Sequence, residues 1–244
     1  APSRGLGDVY KRQDYNSMKT TDIKNVNLTN FMTQDSIRVF EQWTKFYTVF
    51  SFDQTFDAFS RFRTGEMPLV VQAYTFYNQL SVAAPEIKGL WDFTLVPGTK
   101  QADGTINHAV NSAGSGAVIF NKVSNQAAAW DFVKWFTSTD IQVDYGKQIE
   151  ALMGPLGRFD TANVEALEQL PWSTAEYEKI SSQQSYLKEV PIIPASYAVT
   201  RHINNAFRMV VNDAGNPRYT LMSYNDQIKS EIVRKYQELS SIKK

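Results

Sequence analysis

Residues 56–78 read FDAFSRFRTGEMPLVVQAYTFYN, and the reading of the whole chain turns on them. Phe56, Phe59 and Phe62 recur every three residues and predict a helix. Thr64-Gly65-Glu66 then reads as a turn, with Gly65 supplying the positive φ that a sharp helix exit often needs. Residues 67–72 are apolar and predict a short buried strand, and an aromatic loop follows with Tyr74, Phe76 and Tyr77. Open α/β sheets commonly hold ligands beyond the carboxyl ends of their strands, so this loop is the first candidate for ligand contact.

Composition narrows the classes. A chain of 244 residues with 43% hydrophobic and 13% aromatic residues has the make-up of a globular protein and enough length for a sizeable core. Its 25 basic side chains balance 25 acidic ones, so no electrostatic footprint points to nucleic acid or to an anionic membrane. Neutral ligands such as sugars or peptides suit that balance better. Cysteine is absent, which excludes disulfides and thiolate metal sites but leaves the compartment open. No apolar run approaches the roughly 20 residues of a membrane-spanning helix, and no signal-peptide pattern is visible.

Outward from the opening stretch, helices dominate. Ile37, Phe40, Trp43, Thr44 and Tyr47 recur at three and four, with Asp35 as a candidate cap. Strands are expected at residues 91–96, 106–110 and 117–120, with the small polar loop Asn111-Ser112-Ala113-Gly114-Ser115-Gly116 between the last two. Ser124 or Asn125 caps a helix whose Ala127, Ala128, Phe132, Val133, Trp135 and Phe136 are expected to line a buried side. Two capping-box patterns, Thr139 to Gln142 and Ser173 to Glu176, start further helices. A connector of helix breakers covers residues 150–157. Val199, Ile203, Ala206, Phe207 and Val210 mark one late helix. Asn216-Pro217 opens the last one, whose apolar face is Leu221, Tyr224, Ile228, Ile232, Tyr236 and Leu239. Residues 1–13, APSRGLGDVYKRQ, fit none of this; GLGDVYKRQ resembles a translated adapter read-through, the alternative being a flexible basic tail. As a read-through it implies that the natural amino-terminal part, with any signal peptide, is missing.

Several of these pieces, in this order, resemble the extracellular solute-binding proteins of bacterial ABC importers, the family that includes maltose-binding protein. They are the aromatic-W-x-x-aromatic-Y helix, F-x-x-G-E before a strand, A-P-E-I-x-G-L-W with P-G-T, and a G-S-G strand entry. After them come the A-A-W-D-F-V-K-W-F helix with S-T-x-x-Q-V and the closing N-P helix. The resemblance implies an α/β, periplasmic-binding-protein-like (type II) fold of two lobes, incomplete here and mostly the carboxy-terminal lobe. Residues 14–93 and 151–244 would then belong to the carboxy-terminal lobe, and residues 94–150 to a fragment of the amino-terminal one. It also implies a small-molecule ligand, most readily a sugar or oligosaccharide, held by hinge closure. An ABC permease would be the membrane partner. There would be no cofactor, no covalent chemistry and an extracytoplasmic location, with lipid anchoring in the full-length protein.

The ligand residues implied are Tyr74 and Tyr77 from the aromatic loop, Asn111 and Ser112 from the polar loop, Met153 at the hinge connector, and Tyr197 and Arg201 near a later helix start. A ring face complements the C–H face of a pyranose, and a phenol adds a hydrogen bond. The alternative is that the rings pack within their own lobe and that Arg201 makes a surface ion pair. His108 and His202 lie far apart without metal-ligand spacing, so no metal site is expected. Two other readings stand beside this one. One is a hydrolase using carboxylates among Glu150, Asp160, Glu165 and Glu168. The other is a truncated, non-functional fragment.

Overall fold

A computed structural model describes residues 28–101, 103–111, 116–188, 190 and 192–242. Ser112 and the segment 1–13 therefore lie outside the described residues. The elements are α1 (Gln34–Thr48), α2 (Ala58–Arg63), α3 (Phe76–Ala83), α4 (Gln126–Phe136), α5 (Thr139–Met153), α6 (Val164–Gln169), α7 (Thr174–Gln184), α8 (Ser196–Asp213) and α9 (Pro217–Ile242). Among the described residues four two-residue strands join them: β1 (Thr99–Lys100), β2 (Ile106–Asn107), β3 (Val110–Asn111) and β4 (Leu187–Lys188). β1 and β2 pair antiparallel, with Thr99 opposite Asn107, and β3 pairs with β4. No helix among the described residues is long and apolar enough to cross a membrane.

The chain divides into two compact units. One takes the chain up to Thr55 and again from Lys188 onward; the other is Phe56–Leu187.

The first unit is a helical assembly of α1, α8 and α9 around one core. Ile37 and Phe40 of α1 meet Val199, Ile203, Ala206 and Val210 of α8 and Leu221, Ile228 and Ile232 of α9. Each set recurs at spacings of three, four or seven, so each helix presents one apolar stripe. Trp43 stacks on Phe207, ring centroids 4.4 Å apart at 20°. The caps are local. Thr33, not Asp35, caps α1 by accepting from the Ser36 N–H, which leaves Asp35 in the first turn, where its charge favours the helix dipole. Asn216 accepts from the Tyr219 N–H just before Pro217 opens α9.

The second unit has a smaller core of Leu167, Leu170 and Ile180, with Tyr74, Phe93, Phe159, Trp172 and Tyr177 packed on it. Gly65 exits α2 at φ +81, as the turn requires. Residues 67–72 are not a strand: they pair with nothing in a ladder, and Leu69 is 88% exposed. The strands expected at 91–96 and 117–120 are likewise absent. That expected over 106–110 reduces to the two-residue β2, with Val110 opening β3. An extended segment becomes a strand only when a neighbour accepts its hydrogen bonds, and none of the described segments lies beside these stretches as such a neighbour.

α4 departs from expectation in the same way. Asn125 caps it through the Ala128 N–H, but the helix buries no residue, and Trp130, Phe132, Trp135 and Phe136 are all exposed. α5 runs to Met153, into the stretch expected as a connector, and Gly154 follows at φ +67. Its expected capping box does not form. Ser138 is the N-cap but its hydroxyl donates back to the Trp135 carbonyl instead of capping, while the Gln142 amide donates to the Phe136 carbonyl. The second box does form, between Ser173 and Glu176 at the start of α7.

Candidate functional site

Tyr74 lies in the turn before α3, and Tyr77 is in the first turn of that helix. The turn carries backbone bonds from Phe76 N–H to the Ala73 carbonyl and from Tyr77 N–H to the Tyr74 carbonyl, which fix the two rings on neighbouring directions. Both tyrosines meet Trp172 edge-on, at 5.9 Å and 5.4 Å between centroids. Trp172 is in place because it directly precedes the Ser173 cap of α7. Tyr77 also meets Trp91 and Phe93 edge-on. T-shaped pairs of this kind set the positive ring edge against a neighbour's negative face and hold the rings in definite orientations.

Each phenol is tied to a carboxylate. Tyr74 donates to Asp160, and Tyr77 donates to Glu176. Burial, followed by the Asp160 hydrogen bond and charge, pushes the Tyr74 hydroxyl well above the usual phenol range. Burial and Glu176 raise Tyr77 in the same sense. For Glu176 burial acts upward, but the Tyr77 phenol and the Ser173 backbone and hydroxyl outweigh it and hold the carboxyl below its usual range. Its Oε2 accepts from the Ser173 N–H at 2.9 Å while Oε1 takes Tyr77, so both oxygens are engaged.

Arg158 occupies the space between these rings. Its guanidinium lies 4.5 Å from the Trp172 centroid and 5.6 Å from that of Tyr77. Its Nη2 and Nε donate to Glu150 Oε1 of α5 at 2.9 and 3.2 Å, Nε also reaches Oε2 at 3.4 Å, and the two side chains are 11% and 15% exposed. The Arg158 carbonyl accepts from the Asn78 amide at 3.1 Å, tying α3 to the same segment.

The remaining candidates fall in two places. In this second unit Asn111 is exposed at the end of β3 and Met153 is exposed at the end of α5. In the first unit Tyr197 and Arg201 stand one turn apart on α8, with the guanidinium 5.8 Å from the ring centroid. Lys235 of α9 approaches the same ring at 5.8 Å, and Arg201 lies 3.9 Å from Glu231. His202, beside it, faces a cleft of about 370 Å³ lined also by Asp226, Ser230, Glu231 and Arg234.

Asp160, Trp172, Glu176 and Arg158 were not singled out as ligand-site residues from sequence. The Trp172 position was accessible in principle: a capping box at Ser173 fixes the residue before it and turns Glu176 back toward the helix start. Nothing local marks the pairing of Tyr74 with Asp160, which are 86 residues apart. Three of the four carboxylates of the hydrolase reading have partners: Glu150 with Arg158, Asp160 with Tyr74, and Glu165 with the Thr139 hydroxyl. Among the described residues no group of three or more His, Asp or Glu could hold a metal ion.

A family model for the bacterial extracellular solute-binding proteins matches residues 10–143, more than half of the chain. No curated protein matches the chain. The family implies a periplasmic-binding-protein fold; its members are non-enzymatic and extracytoplasmic, and each binds a small-molecule ligand and works with an ABC transporter. With the matched segment covering α1 to α4, both tyrosines and the turn at Gly65, the chain belongs to the bacterial extracellular solute-binding proteins of ABC import systems.

Proposed function

We propose that the solute is a carbohydrate, most simply an oligosaccharide, and that Tyr74 meets it. The observation that carries this reading is the half-buried Tyr74 ring, held edge-on to Trp172 and fixed through its hydroxyl by the exposed Asp160. A flat ring in a fixed orientation offers its face to sugar C–H groups, and an adjacent carboxylate takes sugar hydroxyls; both gain from being set before the ligand arrives. Tyr77 is the supporting ring of the pair. Asn111, Ser112, Met153, Tyr197 and Arg201 complete the proposed ligand set.

In the same proposal the fold is the type II two-lobe arrangement, closing about a hinge near Met153 and Gly154. Gly154 at φ +67 is a point where backbone change is absorbed at low cost. Residues 14–93 and 151–244 form the carboxy-terminal lobe, with residues 94–150 belonging to the amino-terminal one. The exposed aromatic residues of α4, inside that second stretch, support a role within a larger apolar core.

Calorimetry of the chain with a panel of neutral oligosaccharides tests the ligand reading. Binding by at least one member is expected, weakened about tenfold or more by Tyr74→Ala. A panel without heat or thermal shift, alongside a bound peptide, would replace sugar by peptide.

A further inference from the structure

The hydrogen-bond polarity of the Tyr74 site is fixed by its neighbours, and the polarity selects among solutes. A phenol has one proton to give. The Tyr74 proton goes to Asp160 Oδ1, so the Tyr74 oxygen keeps only lone pairs for anything else. Asp160 accepts through Oδ1 and is exposed, and a carboxylate's second oxygen adds further acceptor sites at the same place. The site therefore offers acceptors, side by side, on the edge of an aromatic platform.

The surrounding charges add to this bias. Arg158 lies against Trp172, with Nε and Nη2 paired to Glu150 and Nη1 buried without a hydrogen-bond partner. Tyr77, by contrast, is a support: Glu176 receives its proton and is itself locked by the Ser173 N–H. Asp160 accepts from a neutral hydroxyl, while Glu176 accepts from the Tyr77 phenol and the Ser173 N–H with the Arg158 charge also acting on it. The unpartnered donors here, Arg158 Nη1 and Trp172 Nε1, are both buried, so an anionic ligand approaching Tyr74 from solvent meets the exposed Asp160 carboxylate.

We propose that Asp160 is a positioning residue that makes Tyr74 an obligate hydrogen-bond acceptor, so that the site takes neutral or cationic solutes rich in O–H or N–H donors and rejects acid sugars and other anions. This rests on the Tyr74 reading above and narrows it: a hydroxyl-rich neutral sugar is accepted, and its uronic acid counterpart is not.

Two measurements on the intact chain test it. The first needs no ligand. Alkaline titration of tyrosine absorbance is compared for the wild type, Tyr74→Phe and Asp160→Asn. Tyr74→Phe identifies the Tyr74 step by its loss. Asp160→Asn is expected to lower that step only part of the way, because an amide keeps the shape and removes the charge that opposes phenolate formation while burial, the larger cause, remains. A step left in place in Asp160→Asn overturns the assignment, since a merely structural Asp160 would not govern the proton. The second measurement is calorimetric, with maltotriose and tri-galacturonate as probes. The neutral trisaccharide is expected to bind at least about tenfold more tightly, and Asp160→Asn to narrow that ratio. Equal or tighter binding of the triuronate overturns the inference. If neither sugar binds while the titration step moves, the carbohydrate reading fails and the polarity assigned to Tyr74 and Asp160 is supported on its own.

Discussion

Arg158 and Glu150 form the ion pair with the most at stake, because both side chains are largely withdrawn from water. A buried charge without its partner keeps the desolvation cost and loses the attraction that offset it. Burial acts to lower the Arg158 pKa, but the Glu150 hydrogen bonds and charge raise it overall, which marks the pair as net favourable for the charged form. Glu150→Gln preserves the shape of the side chain and strands the guanidinium. It is expected to destabilise the second unit by about 3 kcal/mol, measured by urea denaturation with tryptophan fluorescence, since Trp172 lies 4.5 Å from the guanidinium. A loss under about 0.5 kcal/mol, the level of a surface pair, would show that water reaches the pair freely.

His202 offers a second test at this scale. It is 8% exposed, and neither ring nitrogen has a hydrogen-bond partner. Burial first, and the neighbouring Arg201 next, hold its pKa below the ordinary 6.5, with Glu231 pulling the other way. The unfolded chain therefore takes up the proton at a higher pH than the folded one. The stability due to neutral His202 is complete above pH 6.5 and is lost as the pH falls through that value toward the lower folded pKa. Denaturation midpoints of the first unit are expected to drop between about pH 7.5 and pH 5.5, and His202→Gln to flatten that slope. Glu231 and Glu238 have depressed pKa values, so their contribution fades only below the usual carboxylate range of 4.5, a separate window.

At the scale of single elements, the two capping-box patterns separate pattern from interaction. Ser173 receives the Glu176 N–H and Glu176 receives the Ser173 N–H, so Ser173→Ala is expected to cost about 1 kcal/mol. Ser138, the N-cap of α5, makes no cap bond, and Ser138→Ala is expected to cost well under half of that. Equal costs, by thermal unfolding of the two variants, would deny the capping box its role. The contrast also explains what was legible in sequence. Gly65, the stripe Leu221-Ile228-Ile232, and the cap at Asn125 were readable because each depends on residues within one or two turns. Residues 67–72 looked like a strand because apolar composition was present, but a strand is a statement about a neighbour, and Leu69 has none. The site divides along the same line. Tyr74 and Tyr77 were legible as aromatics clustered after an extended segment. Their carboxylates, 86 and 99 residues away, were not, since only the folded chain brings those pairs together.

For the molecule as a whole, exposed apolar surface and charge balance act in the same direction. α4 exposes Trp130, Phe132, Trp135 and Phe136 beside the ion pair of Asp131 and Lys134, and Val118 and Phe120 just before it are both 79% exposed. So many exposed rings on one helix favour contact with another apolar surface, and burying one large aromatic is worth about 2–3 kcal/mol. Repulsion between copies does little to oppose contact, because the formal net charge is zero and the isoelectric point is about 7.0. Concentration-dependent association is therefore expected at neutral pH in sedimentation, together with binding of a hydrophobic dye. A variant with Trp130→Lys and Trp135→Lys would suppress it for two reasons at once, lost apolar area and added charge. Trp130→Lys with Trp135→Glu removes the same two rings and leaves the net charge at zero, so it isolates the apolar term. Full suppression by the charge-neutral pair assigns the association to α4. Suppression by the doubly basic variant alone assigns it to colloidal neutrality, and a wild type that stays monomeric and dye-free at every concentration refutes both, leaving the α4 rings covered in solution by some other part of the chain.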